Sequence, residues 1–182
     1  MKRWAAAAAA VLCAAAPAFS ALSYSSFAHP KGEFAFEYPS NWHKSLGLEM
    51  LALRPPGRDG KTVRVTVASY PFGKDSPPTP AAYVAKLLVD AQGLKKLERR
   101  DKVKTAAGDA ERLELLETKT LRGQFGTTLP GPMRQLYVVV PRGAGYLVLA
   151  LEGVGDGFTR ARAEFDHLVA TLKLDATPPA AR

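Results

Sequence analysis

Cysteine is nearly absent from this chain, with one, Cys13, in 182 residues. Without a second thiol there is no intrachain disulfide, no cysteine-ligated metal centre and no dithiol redox pair, so stability has to come from packing. Histidine is sparse too. His29, His43 and His167 stand apart, and no two share the helical spacing that builds a metal-binding face. His43, next to Trp42 in an expected turn, is the best placed of the three for function, although a solvated turn residue is the plainer reading. The chain also lacks the Gly-x-Ser-x-Gly elbow, the Ser-x-x-Lys pair and the lysine-bearing phosphate loop. Glu111, Glu114 and Glu117 lie among Arg112 and Lys119 and read as a solvated sheet face rather than a catalytic pair. No catalytic, cofactor-binding or metal-binding set emerges, and the expectation is a protein that is not an enzyme.

Long hydrophobic runs are equally scarce. One exists, from Trp4 to Ala16, behind Lys2-Arg3 and ahead of the small residues Ala18, Ser20 and Ala21. It falls short of the roughly 20 apolar residues that a spanning helix needs, Pro17 follows it, and its composition is that of a signal peptide. Residues 1–20 are expected to be removed after Ser20. Cys13 follows Leu12 inside the apolar run, which does not suit lipidation, and Lys2-Arg3 is not a twin-arginine pair. A periplasmic or secreted location follows, with no transmembrane segment in the mature chain. Processing lowers the formal charge from +8 to +6, removes Cys13 and leaves 162 residues, enough for one core. The expected organisation is a short lead (21–32), a single domain (33–175) and a loose tail (176–182).

What is present is strand patterning. Leu48 to Leu53 and the alternating Val63, Val65 and Val67 of Thr62 to Tyr70 read as a hairpin around the turn cluster at Pro55-Pro56-Gly57. Thr79 and Pro80 suit the cap and first position of a helix carrying Tyr83, Leu87 and Ala91 and ending near Gly93. Leu94 to Lys104 and Arg112 to Lys119 read as strands around a turn at Ala107-Gly108-Asp109. Met133 to Val140 and Gly145 to Glu152 make a second hairpin, whose continuous apolar runs suggest central strands covered on both faces. A helix over Phe158 to Leu172 closes the pattern. The order lacks regular strand–helix alternation, which points to the α+β class with a mostly antiparallel central sheet flanked by helices. Gly153-Val154-Gly155-Asp156-Gly157 lacks the third glycine of a dinucleotide fingerprint and reads as a strand-to-helix connector.

The most informative stretch is Phe34-Ala35-Phe36-Glu37-Tyr38-Pro39-Ser40-Asn41-Trp42. Phe34, Phe36 and Tyr38 alternate with Ala35 and Glu37, Pro39 ends the strand for want of an N–H, and Trp42 turns back toward the interior. This order resembles the opening of the PsbP-like family, and Phe165-Asp166-His167-Leu168-Val169-Ala170-Thr171-Leu172 is similar to its closing helix. The resemblance spans Phe34 to Leu174. It implies an α/β/α sandwich, and, through PsbP, the Ran-binding Mog proteins and the DcrB-type lipoproteins, a role in protein interaction rather than a reaction.

Two surface features are candidates for docking. Lys95, Lys96, Arg99, Arg100, Lys102 and Lys104 outnumber Glu98 and Asp101 in one segment, which would suit an acidic or membrane-associated protein partner. The plainer alternative is an edge strand whose lysines discourage pairing. Nucleic acid fits poorly, because the strip has no interleaved aromatics for stacking. The Gly/Pro-rich connector Thr120 to Pro132 offers Leu121 and Phe125 as apolar contacts or as cover for the sheet. A second function class is a periplasmic carrier of a small apolar or anionic ligand, in a pocket lined by Tyr38, Trp42, Tyr137 or Tyr146.

Overall fold

The alternation at Phe34–Pro39 forms a strand with Phe34, Phe36 and Tyr38 buried while Ala35 and Glu37 stay partly exposed. The structure is a computed structural model that describes residues 22–47, 50–72, 77–90, 94–117, 132–143 and 145–175. Its elements run β1 (Tyr24–Ala28), β2 (Phe34–Pro39), β3 (His43–Leu46), β4 (Met50–Arg54), a turn of 3-10 helix (Asp59–Lys61), β5 (Val63–Pro71) and α1 (Pro80–Asp90). They continue through β6 (Lys95–Thr105), β7 (Gly108–Glu117), β8 (Met133–Arg142), β9 (Gly145–Val154), α2 (Gly155–Thr171) and β10 (Lys173–Leu174).

Seven strands form one antiparallel sheet in the order β3-β4-β5-β9-β8-β7-β6, and β1-β2-β10 form a small second sheet. The α+β class and the antiparallel centre are as expected. The aromatic strand, however, lies outside the central sheet: β2 pairs with β1 and β10 and packs against α2, which packs in turn on β9 and β5. Pro39 explains the exit from the small sheet. It cannot donate to a ladder, and the N–H of Trp42 donates to its carbonyl at 3.0 Å in a tight turn. His43, expected in that turn, instead begins β3, exposed and across from Arg54.

The large sheet has a core on each face. On the α2 side, Leu51, Leu53, Val65, Val67, Leu136, Val138, Leu149 and Leu151 meet Phe158, Phe165, Leu168 and Leu172, with Phe34, Phe36, Tyr38 and Trp42 in the same cluster. On the α1 side, Leu113, Leu115, Tyr137, Val139, Tyr146 and Val148 are covered by Val84 and by the partly buried Tyr83, Leu87 and Leu88. β8 and β9 are thus buried from both sides, which their unbroken apolar sequences require. Each large side chain removed from water contributes about 1.5–3 kcal/mol.

Both helix starts follow from local chemistry. Thr79 Oγ1 accepts the N–H of Ala82 at 3.1 Å ahead of Pro80, so α1 begins where the cap predicts. At the other start there is no connector. β9 runs to Val154, and Gly155, at φ +56°, turns the chain directly into α2, three residues before the expected Phe158. A Cβ at Gly157 would stand 3.0 Å from Val63 Cγ2, so the small residue lets the first turn lie close on the sheet. The glycine run therefore serves packing, and nucleotide binding is not needed to account for it.

Candidate functional site

The basic segment forms β6, an edge of the large sheet that pairs, among the described residues, with β7 alone. Its register is broken once, between Leu97 and Arg99, where Glu98 is the extra residue of a bulge. Beyond the bulge, Arg99 through Thr105 pair without interruption against Gly108 through Glu114. Arg100, opposite the buried Leu113, shares the α1 side with Lys102 and Lys104, while Arg99, Asp101, Val103 and Thr105 take the α2 side. Lys96, Arg99, Arg100, Lys102 and Lys104 are exposed; Lys95 is half-buried.

Neighbouring carboxylates offset much of this charge. Arg99 pairs with Asp101 at 2.8 Å, Arg100 with Glu111 at 2.5 Å and Lys104 with Asp109 at 2.6 Å, while Lys95 Nζ donates to Gln135 Oε1 at 2.7 Å. Arg112 grips Asp101 through two donors, at 3.0 and 2.6 Å, holding its carboxyl below the usual carboxylate range and raising the guanidinium's own pKa. Asp109 is lowered in the same way by the ammonium of Lys104. Among the described residues, Lys96 and Lys102 are the strip's two cations without an ion pair or side-chain hydrogen bond. The strip is therefore less strongly positive than its own sequence suggests, because β7 brings Glu111 and Asp109 alongside.

Glu114 departs further from expectation. It is buried, not solvated, and the guanidinium of Arg162 on α2 clasps both its oxygens at 2.9 and 3.0 Å, with Arg134 at 3.7 Å. Arg134 also reaches Glu98 at 3.0 Å and lies over the Phe158 ring, 5.5 Å from its centroid. Glu117 is buried as well, opposite Lys95, with no hydrogen-bond partner for Oε2 among the described residues. Glu114 was misread because it alternates with Leu113 and Leu115, which fill the α1 core. Its own side faces a helix that supplies an arginine 48 residues later, and β7 taken alone cannot reveal that.

The histidines do not converge. His167 Nε2 lies 3.1 Å from Glu37 Oε2, joining α2 to β2, and its ring is 4.0 Å from that of Tyr24, whose hydroxyl donates to Glu164 at 2.8 Å. Glu37, on the partly exposed side of β2, thus meets His167 and not His43. His29 stacks on Phe34 at 4.8 Å. Leu121 and Phe125 lie outside the described residues.

The aromatic residues considered for a carrier pocket are divided. Tyr38 and Trp42 belong to the α2-side core and Tyr137 and Tyr146 to the α1-side core, so the sheet separates them and they line no common chamber. Two open grooves accompany them. One, of about 280 Å³, runs past Trp42, Pro55, Pro56, Arg160 and Glu164. The other, of about 330 Å³, lies between β6 and α2 over Val103, Val138, Val169 and Ala170, with Arg112, Lys104 and Asp166 at its rim.

No protein-family profile matches the chain, and no curated protein sequence does. Solved structures do. The cyanobacterial PsbP protein of Synechocystis sp. PCC 6803 aligns over 89% of this chain and 98% of its own, with 13% identity and a TM-score of 0.56. The Ran-binding protein Mog1p of Saccharomyces cerevisiae aligns over 85% and 97%, with 9% identity and a TM-score of 0.57. PA94 of Pseudomonas aeruginosa, a protein of unknown function, aligns over 87% and 99%, with 16% identity and a TM-score of 0.51. At these identities the likeness is one of fold, and it agrees with the PsbP-like architecture expected from the aromatic opening and the closing helix. Among the described residues, no helix is long and apolar enough to cross a membrane.

Proposed function

We propose that this chain is an exported, non-catalytic accessory protein that binds an acidic protein partner at the cell envelope or a membrane surface, and that β6 is its docking strand. The observation that carries the reading is an eleven-residue edge strand with five exposed cations, two of which, Lys96 and Lys102, form no ion pair among the described residues. Oppositely charged surfaces steer encounter and select among partners even where they add little affinity. The fold supports the class of function, since one protein that shares it is a Ran-binding protein. Export rests on the sequence of residues 1–20.

Double charge reversal, Lys96→Glu with Lys102→Glu, tests docking without breaking an existing ion pair. Envelope proteins captured by the wild type at low salt should be released at high salt, and should fall by about tenfold or more with the variant, if each reversal costs about 1 kcal/mol. Equal capture by both chains, with unchanged circular dichroism, would remove β6 from the function. Mass spectrometry of the protein from the periplasmic fraction reads export directly, with an amino terminus at Ala21 as the expected result.

A further inference from the structure

We propose that β6 binds by strand addition, and that its occupant is an extended segment of a partner protein with acidic residues at every second position and apolar residues between them. This rests on the reading of β6 as the docking strand and adds how it docks and what it selects. Among the described residues, β6 has β7 on one side and no strand on the other, so alternate residues along eleven positions turn their N–H and C=O outward, ready to template a further strand. Net charge alone is a poor basis for recognition here, since Glu111 and Asp109 already offset Arg100 and Lys104. The unpaired backbone supplies what the charge does not.

The side chains then determine which strand fits. From Arg99 to Thr105 the register is regular, and the two sides of β6 differ. One side presents Arg100, Lys102 and Lys104 in succession; the other presents the closed Arg99–Asp101 pair and then Val103. A strand laid along this edge inherits the same alternation. Its residues on the α1 side meet three cations, and opposite-charge pairs across strands are favourable. Its residues on the α2 side approach the groove of about 330 Å³ floored by Val103, Val138, Val169 and Ala170, which has room for an aliphatic side chain. The existing Arg100–Glu111 and Lys104–Asp109 pairs are exposed to solvent, where ion pairs are weak and exchange partners readily. A second copy of this chain fits badly. Antiparallel β6–β6 pairing would set the two cation rows side by side, and like charges directly opposite are destabilising.

Synthetic peptides separate the alternatives. Four are titrated into the purified protein: one alternating Asp with Val, one of the same composition with all Asp at one end, and two forms of the alternating one N-methylated on every second residue, one in each register. Dissociation constants are measured at low and physiological salt, with amide exchange across Lys95–Thr105. The alternating peptide should bind at least about tenfold tighter than the block peptide, because it alone sets its carboxylates along the cation row and its valines over the groove, and should slow exchange at alternate β6 amides. N-methylation should abolish binding in one register and spare it in the other, and Val103→Asn, which adds no charge, should weaken the alternating peptide alone. If all peptides bind alike with a steep salt dependence and unchanged β6 exchange, strand addition is overturned while acidic docking stands. If none binds at low salt, the docking reading falls with it. A protein that sediments as a dimer protected along β6 would replace the acidic segment with a second copy.

Discussion

The two edges of the large sheet are unlike. β3 has four residues and begins just after the Pro39–Trp42 turn, so it leaves a short ladder uncovered. β6 has eleven, and an exposed strand of that length is an aggregation hazard unless something prevents pairing. Its protection is chemical: a bulge at Glu98 and a row of cations. The difference shows that a short edge is protected by its length, whereas a long edge needs charges, and charges that repel a second copy are the ones that would admit an acidic strand.

Breaking the anchor beneath β6 should have the largest effect. Arg162→Ala leaves the buried Glu114 carboxylate with Arg134 alone, at 3.7 Å, and should lower unfolding free energy by about 3 kcal/mol in chemical denaturation. Native-state amide exchange should quicken in β6 and β7 more than in β3 and β4; uniform change across both edges would contradict the anchor. Next, neutralising the β6 row with Lys96→Thr, Arg100→Thr, Lys102→Thr and Lys104→Thr should turn a monomer into a concentration-dependent oligomer in sedimentation, although the fold stays intact. A monomer at high concentration would show that charge does not guard this edge.

Acid sharpens the contrast further. The pKa of Asp101 is lowered in the folded state by the hydrogen bonds from Arg112, so as pH falls the unfolded chain takes up this proton first. The contribution, about 1 kcal/mol, is full above about pH 5, shrinks as pH drops through 4 and is gone below the folded value. Urea titrations from pH 5 to 2.5 should show Arg112→Met with a shallower decline than the wild type; parallel curves would mean the pair adds nothing. The smallest effect belongs to the other edge. Lys44→Val on β3 removes only a cation lying 5.4 Å from the Phe27 ring centroid, at a cost of about 0.5–1 kcal/mol, and should cause no association.

Much of the fold was legible in the sequence because periodicity reports burial. Phe34, Phe36 and Tyr38, the Val63-Val65-Val67 alternation and the apolar runs of β8 and β9 all name the face that packs, and Thr79-Pro80 names a helix start. Which sheet a strand joins is not local. β2 carries a central strand's aromatics, yet its partners are β1, whose Tyr24-Ser25-Ser26 is too polar to stand out, and a two-residue strand after α2. For the site, the basic strip and its exposure were readable, whereas its partial neutralisation was not, since Glu111 and Asp109 meet it only through the register with β7. Glu114 and the Glu37–His167 pair were hidden for the same reason: each partner lies on α2.

The small sheet also constrains the order of assembly. β2 donates its Glu37 N–H to Thr171 Oγ1 across 134 residues of sequence and takes β10 as an edge partner, so the apolar side of the first aromatic strand is buried only once the chain through Leu174 is available. Contacts this distant slow folding, and they leave Phe34 and Phe36 open to unwanted association while the intervening strands are being made. A chain stopped before α2 would leave these rings the company of Phe27 and His29 but not the helix that packs on their strand. Burial of the aromatic strand is therefore completed late, when α2 and β10 reach β2.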